Sequence, residues 1–183
     1  MATPELPDTT RALYPFESHF FTLNDGTRMH YIDEGPQDGD VLVFVHGYPL
    51  WSFEFRALVI YYAAQGIRCL AMDHAGYGLS DKPHNRRYHT ITRHTNNLIE
   101  FINELDLHDI TLVMENWGGP FGLGYALART ANIRRLMLMN TWAFQDTYTH
   151  RLNPLINFAT QPGIGELLLG TFNLVFSLGV QRW

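Results

Sequence analysis

The chain of 183 residues suits one domain with a core of ordinary size. A hydrophobic share of 46% with 17% charged residues describes a globular chain and excludes a disordered one. The net charge of −5 offers no basic face for nucleic acid, and a single cysteine, Cys69, excludes an internal disulfide framework and fits a reducing cytoplasm.

The opening stretch "MATPELPDTTRALYPFESHF" has no positive region followed by an apolar run, so it does not read as a signal peptide. Strand-like runs follow at "HFFTL" and "RMHYIDEG", joined at "NDGT", a hairpin signal. From Val41 onward the pattern changes. Apolar runs at "VLVFVHG", "IRCLAMDHAG", "ITLVMEN" and "RRLMLMNTW" alternate with helical patterns at Phe53–Gln65, Thr90–Leu105 and Pro120–Arg129. Strands that are apolar on both faces and separated by helices predict a parallel sheet with right-handed crossovers. The fold class is therefore α/β: a mostly parallel sheet that opens with an antiparallel hairpin and stops after a sixth strand. The predicted division is a core over 1–142 and part of a helical cap over 143–183. The most apolar segment, Ile164 to Val180, is shorter than a bilayer span and carries Glu166, Asn173 and Ser177, which predicts buried helix and no membrane partner. The last strand, Arg134–Trp142, is strongly apolar, and its edge invites pairing with another chain.

Three turns carry candidate chemistry. "VMENWGGP" runs from strand through a tight glycine turn into a helix, which places Asn116 at a strained, exposed tip. The backbone N–H of Trp117 then faces a reacting atom. "FVHGYP" follows another apolar strand at the sheet edge where ligands bind in open α/β sheets. "MDHAGYGLSDKP" is a long loop that shapes the same crevice, with Asp73 and His74 as its reactive side chains. The remaining histidines show no metal-ligand spacing, no Lys-Ser/Thr follows the glycines as in a phosphate-binding loop, and the sequence calls for no cofactor.

These turns, in this order, resemble the α/β-hydrolase superfamily. The phrases "HGYPLWSFEFR", "DHAGYGLSDKP", "NWGGPFGLGYA" and "LMNTWAF" resemble haloalkane dehalogenases in particular. The resemblance implies hydrolytic carbon–halogen cleavage through an alkyl-enzyme ester, on a small apolar halogenated substrate. It places the nucleophile at Asn116 and the halide-cradling indole at Trp117. It puts Tyr48 where many members carry a second halide-binding side chain, and the oxyanion hole on the backbone N–H groups of Trp117 and Tyr48.

The sequence departs from that pattern. Asn116 replaces a carboxylate, and a neutral amide neither carries charge nor yields a proton to a base at neutral pH. The strands that would carry the family's acid and histidine are not seen; Asn140 holds one place for the acid, and Asp146 lies nearby. The expected form is a dehalogenase-like hydrolase that is inactive as written, completed by a C-terminal chain or paired as a homo-oligomer. The alternatives are a non-catalytic, self-associating binding module, and a hydrolase of epoxides or esters.

Overall fold

The computed structural model describes residues 6–143 and residue 161. The hairpin forms where the sequence predicts it: β1 (His19–Thr22) pairs antiparallel with β2 (Arg28–Glu34) in the register His19↔Tyr31. Its turn is held by the Asp25 carboxylate, which accepts the Thr27 N–H at 2.9 Å, the local bond that makes Asp a turn residue.

Beyond it lie β3 (Val41–Val45), β4 (Arg68–Met72), β5 (Ile110–Glu115) and β6 (Ile133–Met139). The spatial order is β1-β2-β4-β3-β5-β6. The pairs β4–β3, β3–β5 and β5–β6 are parallel, whereas β2 meets β4 antiparallel. A two-pronged ion pair from Arg68 to Asp33, at 2.9 and 2.7 Å, ties β4 to β2.

Strand alternation explains why the central runs are continuously apolar. Val43, Val45, Leu70, Met72, Leu112 and Met114 face one core, while Leu42, Phe44, Cys69, Ala71 and Val113 face the other. The first core is filled from α3 (Ile91–Glu104) by Leu98, Phe101 and Ile102 and from α4 (Gly118–Ala128) by Phe121 and Tyr125. The second takes Val59 of α2 (Arg56–Ala63) and Phe55 of the 3₁₀ turn Ser52–Phe55 before it. Each such fully buried side chain contributes about 1.5–3 kcal/mol.

Boundaries differ in small ways from the expected ones. The pattern at Phe53–Gln65 splits into that turn and α2 because Phe55 and Val59 dip to the core one turn apart. α3 begins at its Thr90 cap, whose hydroxyl accepts the Arg93 N–H. α4 starts two residues before Pro120, which sits in the first turn, where a missing N–H costs nothing. A short helix α1 (Asp8–Leu13) was not expected. β6 closes the strand order, and its Leu136, Met137 and Leu138 are exposed. The predicted cap, Asp146 and the apolar segment from Ile164 lie outside the described residues.

Candidate active site

The turn after β5 reverses the chain in two residues. Asn116 has φ 48°, in the left-handed region that Asn tolerates better than most residues. Its carbonyl accepts the Thr141 hydroxyl at 2.6 Å and the Gly119 N–H at 3.1 Å, and its N–H donates to the Met139 carbonyl. α4 can begin here only because Gly118 has no side chain: a β-carbon would run into the carbonyl oxygen of Val45. The predicted tip is therefore built as expected. Its amide is already engaged, however: Asn116 Oδ1 accepts the Trp117 N–H at 2.7 Å. The backbone donor assigned to an oxyanion hole is thus held by the tip residue's own side chain.

The turn after β3 abuts this one. A β-carbon on Gly47 would come within 2.5 Å of Asn116 Cβ and of the Trp117 nitrogen, so only glycine lets the two turns meet. Tyr48 and Trp117 stand beside that meeting point, 50% and 40% exposed, with ring edges toward Tyr77 and Trp142 respectively. The three predicted site residues therefore lie on two adjoining turns at one end of the sheet.

His46 is not free to act as a base. Its Nε2 accepts the His74 N–H at 2.9 Å, which leaves the proton on Nδ1, facing the Gly47 carbonyl at 3.0 Å. Burial keeps the ring neutral by lowering its pKa. His74 is fully buried with no partner for either ring nitrogen, and burial, with His46 and His94 close by, drives its pKa well below the ordinary value. Its ring packs against His46, His94 and Phe121, with centroids 4.5, 5.3 and 4.9 Å away. The histidines thus gather into a neutral cluster behind α4, which their scatter along the sequence does not suggest.

Asp73 is likewise internal. Its Oδ1 accepts the Ser52 N–H, and its Oδ2 accepts the Leu79 N–H and the His30 Nδ1 proton, all within 2.8–2.9 Å. Burial alone would raise its pKa; the hydrogen bond from His30 and the other donors outweigh that and hold it ionised. It fastens the long loop after β4 to β2 and to the 3₁₀ turn, so its role is structural with respect to the crevice.

Two carboxylates near the tip escape sequence reasoning. Glu54 is pushed up to about 8 by burial and by neighbouring Glu115, whose own pKa is raised by burial. Glu54 Oε1 and Glu115 Oε2 are both buried without partners. The available signal was their position: one acid ends the apolar run "ITLVME", and the other interrupts "WSFEF". Asn140 Nδ2 lies 3.4 Å from Glu115 Oε1, so the predicted place of an acid after β6 is occupied by an amide that faces an acid. Among the described residues no group of three His, Cys, Asp or Glu side chains is placed to hold a metal ion.

A strand order with antiparallel β1–β2, parallel strands from β3 to β6, and a left-handed tip between β5 and α4 defines an α/β hydrolase. A family model for the alpha/beta hydrolase fold matches residues 40–178, and the chain belongs to that family. A haloalkane dehalogenase of Mycobacterium marinum is 39% identical over 142 residues, covering 75% of this chain and 48% of that protein. A cis-3-alkyl-4-alkyloxetan-2-one decarboxylase of Shewanella oneidensis is 38% identical over 176 residues, covering 93% of this chain and 54% of that protein. The tetrameric haloalkane dehalogenase DpaA from Paraglaciecola agarilytica superposes with a TM-score of 0.69 at 32% identity, covering 77% of this chain and 50% of that one. The chain spans about half the length of the curated relatives it matches.

Proposed function

We propose that the chain carries the nucleophile turn and halide cradle of a haloalkane dehalogenase-like hydrolase, with Asn116 in the nucleophile's place. The observation that carries this is the left-handed Asn116 at the β5–α4 turn, with Trp117 beside it and the Gly47–Tyr48 turn packed against both. In this reading the indole N–H of Trp117 and the Tyr48 hydroxyl hold the halide, residues 143–183 supply part of a helical cap, and the protein acts in the cytoplasm. The amide oxygen cannot displace halide, so the chain as written binds without turnover.

The test is Asn116→Asp with 1-bromobutane. The carboxylate attacks the carbon, the C–Br bond breaks, and one equivalent of bromide leaves as the butyl ester forms. The expected result is a burst of bromide together with a butyl adduct on residue 116. Absence of both from the folded variant overturns the reading.

A second reading is favoured by the length of the match to the oxetanone decarboxylases. A four-membered lactone carries its own leaving carboxylate on the carbon attacked, so the same turn would open that ring. In the Asn116→Asp variant given a cis-dialkyl oxetanone, the freed carboxylate would then be lost as carbon dioxide while its electron pair forms an alkene and expels the aspartate, and bromoalkanes would be poor substrates. The exposed outer edge of β6 supports pairing with a further strand, from another part of a longer protein or from a second copy. Native mass spectrometry separates the two.

A further inference from the structure

A second constellation lies at the other end of the strand order. Ser18, immediately before β1, is exposed. Its Oγ lies 3.1 Å from His30 Nε2, and His30 Nδ1 lies 2.9 Å from Asp73 Oδ2. Both partners are fully buried. Because ionised Asp73 can only accept, His30 Nδ1 carries a proton, and in the neutral imidazole Nε2 is then the acceptor for the Ser18 hydroxyl. Backbone N–H groups of Ser52 and Leu79 fix the carboxylate, while the rings of Phe20 and Tyr14 flank the imidazole. A hydroxyl, a base within hydrogen-bond reach and a buried acid that orients the base are the parts that activate a serine, whatever their order in the chain.

We propose that Ser18 is a nucleophilic site for small activated acyl esters, independent of the Asn116 turn. The Ser18 Oγ–H proton passes to His30 Nε2 as Oγ bonds the acyl carbon. The ester C–O bond then breaks, the oxyanion leaves with the electron pair, and the Nε2 proton passes to it or, for a weakly basic phenolate, to solvent. Asn116 has no comparable reactivity, and the two sites lie beside β1 and β5, which β2, β4 and β3 separate in the sheet.

The test uses p-nitrophenyl acetate on the full chain at neutral pH, with peptide mapping of the acetyl group. Acetylation is expected on Ser18, at least about 100-fold faster than in the urea-unfolded chain, the lower end of what a positioned base supplies. Ser18→Ala, an exposed change that leaves the core intact, should abolish the burst of p-nitrophenolate. His30→Gln, where it folds, should retain the hydroxyl and lose the rate. Acetylation of Ser18 no faster than in urea, or confined to Lys82 and the N-terminal amine, overturns the proposal and leaves a purely structural network.

Discussion

The histidine cluster behind α4 makes acid stability a direct readout of packing. His94 is almost fully buried, stacks on Phe121 at 4.8 Å, and has no partner for Nδ1. Burial first, then neighbouring His89 and His46, bring its pKa from 6.5 down to about 4. Each factor of ten in proton affinity is worth about 1.4 kcal/mol, so this one ring links roughly 3 kcal/mol of stability to pH. The sign follows from where the protons go. Between pH 6.5 and 4 the unfolded chain binds a proton at this position and the folded chain does not. Stability is therefore fully present above pH 6.5 and falls toward pH 4. His46 and His74 are displaced in the same direction, so they steepen the same decline toward acid. His94→Phe keeps the stack on Phe121 and removes one proton from the count. Urea unfolding at pH 7, 6 and 5 should show wild type losing about 2 kcal/mol more than the variant across that range, most of it below pH 6.5. Parallel slopes would mean that His94 meets solvent in the folded state, and the argument from burial would fail.

Glu54 works in the opposite sense. Its pKa of about 8, raised by burial and Glu115 from 4.5, means the folded state keeps a proton that the unfolded state releases, so stability declines as pH rises from 4.5 toward 8. Glu54→Gln should be about 1–2 kcal/mol more stable than wild type at pH 7, a figure reduced for partial solvent screening, and equal to it at pH 4.5. A constant difference across that range, measured by urea unfolding, would refute it. Gly118→Ala should cost about 3 kcal/mol, because the obstructing Val45 oxygen is backbone and cannot swing aside. A thermal melt should show a fall of several degrees, and in the Asn116→Asp background the bromide burst should disappear. An unchanged melting temperature would show that the turn relaxes.

The layered pattern was legible because the four strands from β3 to β6 are apolar runs bounded by turn residues. Alternation along β3, with Val43 and Val45 to one side and Leu42 and Phe44 to the other, is what an apolar run buried on both faces must do. Asn116, Trp117 and Tyr48 were legible through the glycines around them, which mark close backbone approach. What the sequence did not carry is long-range order. Nothing local says that His30 meets Asp73 across β2 and β4, or that His46, His74, His89 and His94 collect in one place. Those meetings depend on strand register and on which face of α3 turns inward. Glu54 and Glu115 were missed because an acid beside apolar residues in sequence gives no distance to a second acid 61 positions away.

The bond from the Trp117 N–H to Asn116 Oδ1 changes the polarity of the tip. With Oδ1 committed to the Trp117 N–H, the amide's remaining group is Nδ2, which can only donate. An aspartate held in the same way would present a lone pair to an electron-poor carbon. The asparagine instead carries only donors on its free nitrogen, so the tip attracts negative charge where an aspartate would repel it.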